Sequence, residues 1–331
     1  MKRIQGFTLI ELLIAMGVLA VISVYLLETF TVNNRNYVAL DQAIEAQQNM
    51  RAIADLVERD VRHAGFMVPE GASICGIDST NGPDTLYVSD HEAIDPGNDI
   101  VSYPGAKIVG GAASGNVSTG TPMSLALDSK VIEPPSPVRA AYDTNNDNTN
   151  DSDFQRYGGV IVMDRNDPGR GVACGRIRVV SIAFNVISVE FLSGTLGSLS
   201  GAADLVAVPA VEYRVENGVL LRNGVRLARG VEDLQIAYLF DLNGDGVIAT
   251  NEVRGAAGGT AYVAGNQSVE DLREVRINFV ARTRKEDPRF HAGSFQALEN
   301  RAEVPGNDGY RRRVYTSTIM PRNLVNRMNT V

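Results

Sequence analysis

The chain has 331 residues, enough for one large domain or two small ones. Hydrophobic residues make up 44% and charged residues 21%, so most of the chain is expected to fold around a core rather than stay disordered. The net charge of -8 argues against a nucleic-acid partner bound through bulk positive charge, and three scattered histidines leave little material for a His-based metal or acid–base centre.

Residues 7–27 form a long apolar stretch near the start of the chain. At about 1.5 Å per residue this stretch makes a helix of roughly 30 Å, which is long enough to cross the hydrocarbon core of a bilayer. Lys2 and Arg3 precede it and predict a cytoplasmic N-terminus. The polar residues in the stretch are Thr8, Glu11 and Ser23.

Glu11 is an acidic residue inside an apolar span, where a carboxylate costs several kcal/mol on insertion scales. One interpretation is interfacial, because Glu11 lies one turn from the helix start and could reach the headgroups. Residues 6–13, GFTLIELL, resemble the class III (prepilin-type) leader of type IV pilin-like proteins. The resemblance implies that prepilin peptidase removes residues 1–6 by cutting between Gly6 and Phe7, and that Phe7 is then N-methylated. It also implies that Glu11 pairs with the Phe7 amine of a neighbouring subunit during assembly.

The helical pattern continues beyond the apolar stretch. Residues 28–63 contain no Pro or Gly, and apolar residues recur mostly at steps of three or four. The pattern predicts one helix from Phe7 to His63 that ends near Gly65. Its hydrophobic half, residues 7–27, would lie in lipid or in a filament core, and its amphipathic half, residues 28–64, would pack on a globular head. Two helices joined near Glu28 are the alternative.

Residues 65–331 have the pattern of a β-rich head. Short β-type runs occupy residues 85–88, 160–163, 177–191 and 272–284, and residues 109–124 and 143–153 are typical of loops. Asn217-Gly218 predicts a two-residue hairpin turn, and Asn223-Gly224 follows it so closely that the strand between them must be very short. We therefore expect an α+β protein of the type IV pilin kind, with a long N-terminal helix packed on an antiparallel sheet.

Cys75 and Cys174 are the two cysteines of the chain. A head outside the cytoplasm would be in an oxidising compartment, where the two residues are expected to form a disulfide. They are on either side of the loop-rich middle of the chain, so their bond would close a long loop. A pair of unconnected free thiols is the alternative.

Residues 241–252, DLNGDGVIATNE, fit the pattern D-x-[DN]-x-[DN]-G-x5-E of a calcium-binding loop at every specified position. Gly246 permits the sharp turn, and water would take the place of a ligand at Ala249. The expected Ca²⁺ ligands are Asp241, Asn243, Asp245, the carbonyl of Val247, and Glu252. The surrounding sequence favours a β scaffold rather than a pair of helices, and a hairpin turn without metal is the alternative. Residues 143–153 could hold a second ion, although a solvated acidic loop is favoured there.

Three further stretches resemble the PilW group of minor pilins: residues 60–66, residues 230–236, and residues 312–318 with 322–324. The length of the chain also favours a minor subunit. The resemblance implies a protein that joins other minor pilins in the inner membrane to prime assembly of a type IV pilus, and that then remains at its tip. Such filaments serve cell adhesion and twitching motility.

The expected partners are other minor pilins, the major pilin, prepilin peptidase, the inner-membrane assembly machinery and, before assembly, membrane lipid. The expected location is the bacterial inner membrane, with a single span and a periplasmic C-terminal head, and later the pilus. No GxSxG, HExxH, P-loop or CxxC motif is found, so no enzyme is expected. A J-type minor pseudopilin of a type II secretion system and a pilus-tip adhesin are the alternatives.

Overall fold

The structure, a computed structural model, describes residues 8–66, 68–89, 106–111, 120–127, 154–181, 184, 186–197, 204–287, 290–291 and 293–325. Two expectations fall outside these ranges. They are the leader cleavage between Gly6 and Phe7, and the acidic loop at residues 143–153.

The long helix α1 (Leu9–His63) runs for 55 residues without a break, so the two-helix alternative does not describe it. It begins at Leu9 rather than Phe7, because Thr8 is the N-cap and its side chain accepts a hydrogen bond from the backbone N–H of Glu11. It ends where Gly65 adopts a left-handed φ of 80° and donates its backbone N–H to the carbonyl of Ser89. The predicted stop at Gly65 is thus the point at which the chain turns into the head.

The rest of the chain is mainly antiparallel β structure. A four-residue helix, α2 (Arg322–Val325), follows the last strand. The strands are β1 (Ile74–Ile77), β2 (Thr85–Val88), β3 (Ala106–Gly111), β4 (Pro122–Leu127), β5 (Gly159–Asp164), β6 (Val172–Ser181), β7 (Val186–Gly194), β8 (Leu205–Glu216), β9 (Val219–Arg222), β10 (Val225–Arg229), β11 (Val231–Phe240), β12 (Val253–Arg254), β13 (Leu272–Arg282), β14 (Gly293–Phe295), β15 (Val304–Asp308) and β16 (Arg312–Ile319).

Ten of these strands form one sheet around β8, with the order β1-β2-β8-β3-β4-β7-β6-β5 and the hairpin β9–β10 beside β8. Because β8 also pairs with β5, strands β8, β3, β4, β7, β6 and β5 close into a barrel. An apolar cluster that includes Leu125, Ile177 and Phe191 fills its interior. Alternate residues point the other way, so that Ile161 and Cys174 face the main core of the head.

The expected antiparallel β-rich head is confirmed. Its strands form more than one sheet, and β8 pairs along both edges with different strands at its two ends. Two local expectations change. The β-type run at residues 177–191 belongs to two strands, β6 and β7, and the expected loop at residues 109–124 begins inside β3 and ends inside β4.

The helix packs on a second sheet of four strands, with the order β12-β11-β13-β16. The buried apolar side chains of α1 recur at helical spacing and belong to the main core of the head. They are Met50, Ile53, Ala54, Val57 and Val61. From this sheet the same core continues to β1, β2 and one face of β5 and β8.

Both Asn-Gly pairs lie in tight hairpin turns, as predicted. Asn217 and Gly218 have φ values of 52° and 73°, and Asn223 and Gly224 have values of 50° and 76°. Positive φ at both central residues is the signature of the type I′ turn, which Asn and Gly tolerate. The strand between the turns, β9, has only four residues.

The predicted disulfide is confirmed: Cys75 of β1 is bonded to Cys174 of β6. The bond joins residues 99 positions apart and connects the first hairpin of the head to the barrel. Both cysteines are fully buried. In the chain-entropy model, closing a loop of this length stabilises the fold by up to about 4–5 kcal/mol.

Asp60 connects the last turns of α1 to the strands around β8. Its Oδ2 accepts hydrogen bonds from the Tyr213 hydroxyl at 2.5 Å and from Nη2 of Arg222 at 2.9 Å. Asp60 is buried. Burial of the Tyr213 hydroxyl and the negative charge of Asp60 both raise the pKa of that hydroxyl. This ion pair therefore fixes the helix to the head at one defined position.

Asp84 makes a similar link between the loop before β2 and strand β11. Its two carboxylate oxygens accept the backbone N–H groups of Ser79 at 2.8 Å and Ile236 at 2.7 Å. Burial raises the pKa of Asp84 to about 8, and the nearby charges of Asp78 and Asp233 act in the same direction, whereas the two N–H donors lower it. Folded protein should therefore hold a proton on Asp84 at neutral pH.

We predict that Asp60→Asn lowers the free energy of unfolding by about 2 kcal/mol, because Arg222 loses the charge that neutralises it in a part-buried position. Urea unfolding of the chain in detergent, followed by circular dichroism, measures this loss. Asp55→Asn is the matched control, since Asp55 lies on the same helix but is exposed. Equal losses in the two variants would show that the ion pair does not hold the helix.

We also predict that the protonation of Asp84 makes the thermal midpoint of the chain fall as the pH rises from about 4 to 8. The folded-state pKa of Asp84 is above the ordinary value, so its contribution to stability is complete below pH 4 and is lost as the pH rises through 8. Asp84→Asn, which cannot ionise, should flatten this part of the profile while lowering the midpoint. Identical pH profiles for wild type and variant would contradict the assignment.

Candidate functional site

The N-terminal half of α1 extends away from the head as an uncovered apolar helix. Its most apolar 18-residue window has a mean hydropathy of 2.5, and none of that window is buried in the protein. By length and composition the helix can cross a membrane. Large apolar side chains such as Leu9, Leu19 and Leu26 are more than 60% exposed, so they need lipid or another protein around them.

Glu11 lies in a capping box at the start of this helix. Its Oε2 accepts hydrogen bonds from the backbone N–H and from the hydroxyl of Thr8, both at 2.9 Å. The hydroxyl of Thr8 in turn accepts the N–H of Glu11. Among the described residues nothing donates to Oε1. Thr8 was not singled out in the sequence, although a Thr three residues before a Glu at a helix start is the usual signal of such a box.

The helix meets the head later than the sequence pattern predicts. Its first buried residue is Gln42, whose side-chain oxygen accepts the backbone N–H of Lys285 at 3.1 Å. Tyr37 and Leu40 are apolar residues of the amphipathic half that was expected to pack on the head, and they are exposed by 78% and 61%. The apolar surface available to other subunits therefore extends well beyond residue 27.

Asp60, Tyr213 and Arg222 are the functional residues that sequence reasoning missed on the head side of the helix. The available signal was the position of Asp60 beside Val57 and Val61 on the apolar stripe. An acid on such a stripe predicts a buried partner of opposite charge, but the sequence gives no means of choosing Arg222 from the other arginines of the head.

The calcium-like loop leaves the end of β11 and returns to the short strand β12, so it lies on a β scaffold as expected. Asp241 and Glu252 are buried, whereas Asn243 and Asp245 are exposed. Gly246 has a φ of 78°, which fits the sharp turn assigned to it. In the described part of the chain no group of three or more His, Cys, Asp or Glu side chains is arranged to hold a metal ion.

The polar groups of the loop bond to one another. The side-chain oxygen of Asn243 accepts the N–H of Asp245 at 3.0 Å, and Oδ1 of Asp245 accepts the N–H of Val247 at 2.7 Å. The two carboxylate oxygens of Glu252 accept the N–H groups of Leu242 and Ala249. The structure thus brings the predicted ligands into one loop but holds Glu252 on the backbone.

Comparisons with known proteins agree with these features. Residues 1–27 match the prokaryotic N-terminal methylation motif, and residues 209–323 match the family of type IV pilus-assembly protein W, PilW. No curated protein matches the chain. A type IV-like pilin from Thermus thermophilus, TTHA1219, is similar at 17% identity over 50% of this chain and 84% of its own, with a TM-score of 0.24.

The two family matches fall on the long helix and on the sheet that holds it. The methylation motif covers the expected cleavage position and the apolar half of α1, and the PilW region covers the four-stranded sheet on which α1 packs. The chain is thus similar to proteins with a prepilin-type N-terminus over residues 1–27 and to the PilW family over residues 209–323.

Proposed function

We propose that the chain is a minor pilin that primes assembly of a type IV pilus in the inner membrane, together with other minor pilins, and then remains at the filament tip. Before assembly it spans the membrane once, with its head in the periplasm. Prepilin peptidase removes residues 1–6 and methylates Phe7. The major pilin then adds to the complex through the assembly machinery of the inner membrane.

The observation that supports this function is the uncovered helix. A head fixed only from Gln42 onward leaves residues 9–41 almost wholly exposed, and their apolar side chains extend beyond the length that lipid alone would cover. Such a surface becomes buried when several like helices pack side by side. The same helix therefore serves as a membrane anchor first and as an assembly surface afterwards.

Glu11 would direct that packing. A carboxylate in an apolar bundle is tolerated when a cation lies beside it, and the amine of a neighbouring subunit's Phe7 would be such a cation. The capping box supports this role, since the Thr8 contacts use Oε2 and orient the carboxylate at the helix start while Oε1 stays open. The side chain of Glu11 would thus contribute in two separate ways, through its charge to subunit pairing and through its hydrogen bonds to capping of the helix.

We predict that Glu11→Ala and Glu11→Gln are both processed by the peptidase but enter filaments at least tenfold less than wild type. Gln still caps the helix through its amide oxygen but has no charge, so only loss of pairing explains failure of both variants. Immunoblots of membranes and of sheared pili measure processing and incorporation. Glu28→Gln, which changes an exposed acid outside the apolar stretch, is the control.

Normal incorporation of Glu11→Gln beside a defective Glu11→Ala would show that Glu11 acts only as a cap. The wider function is tested with a strain that lacks the gene. Loss of surface filaments with secretion intact supports the priming role. Loss of secretion with filaments intact would instead indicate a pseudopilin, and intact filaments with lost attachment would indicate an adhesin.

A further inference from the structure

The loop at residues 241–252 has a structural feature that the assembly function does not explain. Asp241 is only 4% exposed, and its Oδ2 accepts the N–H of Gly246 at 3.2 Å and Nε of Arg273 at 3.4 Å. Among the residues that the structure describes, nothing donates to its other oxygen, Oδ1, which is also buried. A buried carboxylate oxygen that has lost its hydration without gaining a partner is unfavourable.

The carboxylate of Asp241 is bonded to the loop through its other oxygen. Gly246 lies five residues further along and on the far side of the turn, and its N–H donates to Oδ2. Arg273, on the neighbouring strand β13, contacts the same Oδ2, and Oδ1 is unsatisfied. The unsatisfied oxygen therefore belongs to a side chain that the turn of the loop already holds.

The other oxygen-bearing groups of the loop are of the type that Ca²⁺ prefers. The motif places side-chain oxygens at Asn243 and Asp245, a backbone carbonyl at Val247 and a carboxylate at Glu252. In the structure Glu252 is buried, and its oxygens accept N–H groups at 3.0 Å from Leu242 and 2.8 Å from Ala249. Through these two bonds the carboxylate closes the loop on itself.

We propose that residues 241–252 bind one Ca²⁺ ion, with the buried Oδ1 of Asp241 as its first ligand and with Glu252 exchanging its backbone hydrogen bonds for coordination to the ion. Asn243, Asp245 and the carbonyl of Val247 complete the shell, and water takes the place opposite Ala249. This proposal is independent of the proposed function and would hold for any role of the head.

The location of the loop favours an ion from outside the cytoplasm. Strand β11 pairs with β13 so that Phe240 faces Leu272 at one end and Val231 faces Ala281 at the other. The second end lies near Gln42, where the helix enters the head, whereas Leu272 lies toward the end of α1. The loop is therefore at the membrane-distal end, where a site with a dissociation constant on the order of 10⁻⁴ M would be filled by extracellular calcium.

The test uses the mature chain in detergent, stripped of metal and titrated with calcium chloride. Calorimetry should show one site with a dissociation constant on the order of 10⁻⁴ M, and the thermal midpoint should rise with saturation. Asp245→Ala, which removes the side-chain oxygens, should weaken binding at least tenfold, and so should Glu252→Gln. Glu303→Gln, which removes one charge from an exposed residue outside the loop, should bind as wild type does.

Asp245 is exposed, so Asp245→Ala is expected to fold, and it decides the test. Magnesium chloride at the same concentration should have little effect, because Mg²⁺ gives up its water reluctantly. No saturable binding by the wild type would overturn the proposal. Equal calcium effects in wild type and Asp245→Ala would overturn it as well, since they would indicate screening of surface charge only.

Discussion

The structure depends on one constraint: a single unbroken helix must satisfy two different surroundings. From Leu9 to Asp41 its side chains face away from the protein, and from Gln42 to His63 one face packs on the four-stranded sheet. The head can therefore hold the helix only along its last turns, where Asp60 pairs with Arg222 and Gly65 turns the chain away.

Local patterns predicted the parts of the fold that local forces determine. The helix follows from spacing and from the absence of Pro and Gly, and the two hairpins follow from Asn-Gly pairs that accept positive φ. The barrel could not be predicted, because its closure depends on β8 meeting β5 and β3, which come from distant parts of the chain. The same reason hid Arg222, since nothing near Asp60 in sequence indicates which arginine reaches it.

Most of the barrel lies outside the region of the head that matches PilW. The PilW region begins at residue 209, inside β8, so it includes the helix-bearing sheet but leaves out strands β1 to β7. The barrel is nevertheless joined to that sheet twice, through the shared strand β8 and through the disulfide between Cys75 and Cys174. The region that matches PilW and the barrel are therefore joined both by strand pairing and by a covalent bond.

The calcium-like loop shows what a sequence motif alone can and cannot predict about a metal site. The spacing of residues 241–252 identifies oxygen ligands, but it does not say whether they converge, and in this structure Glu252 bonds to the backbone instead. The buried, unpartnered oxygen of Asp241 supplies what the spacing lacks, because it shows a local cost that a cation would remove. Since the loop and Glu11 lie at opposite ends of the molecule, ion binding and helix packing can vary independently.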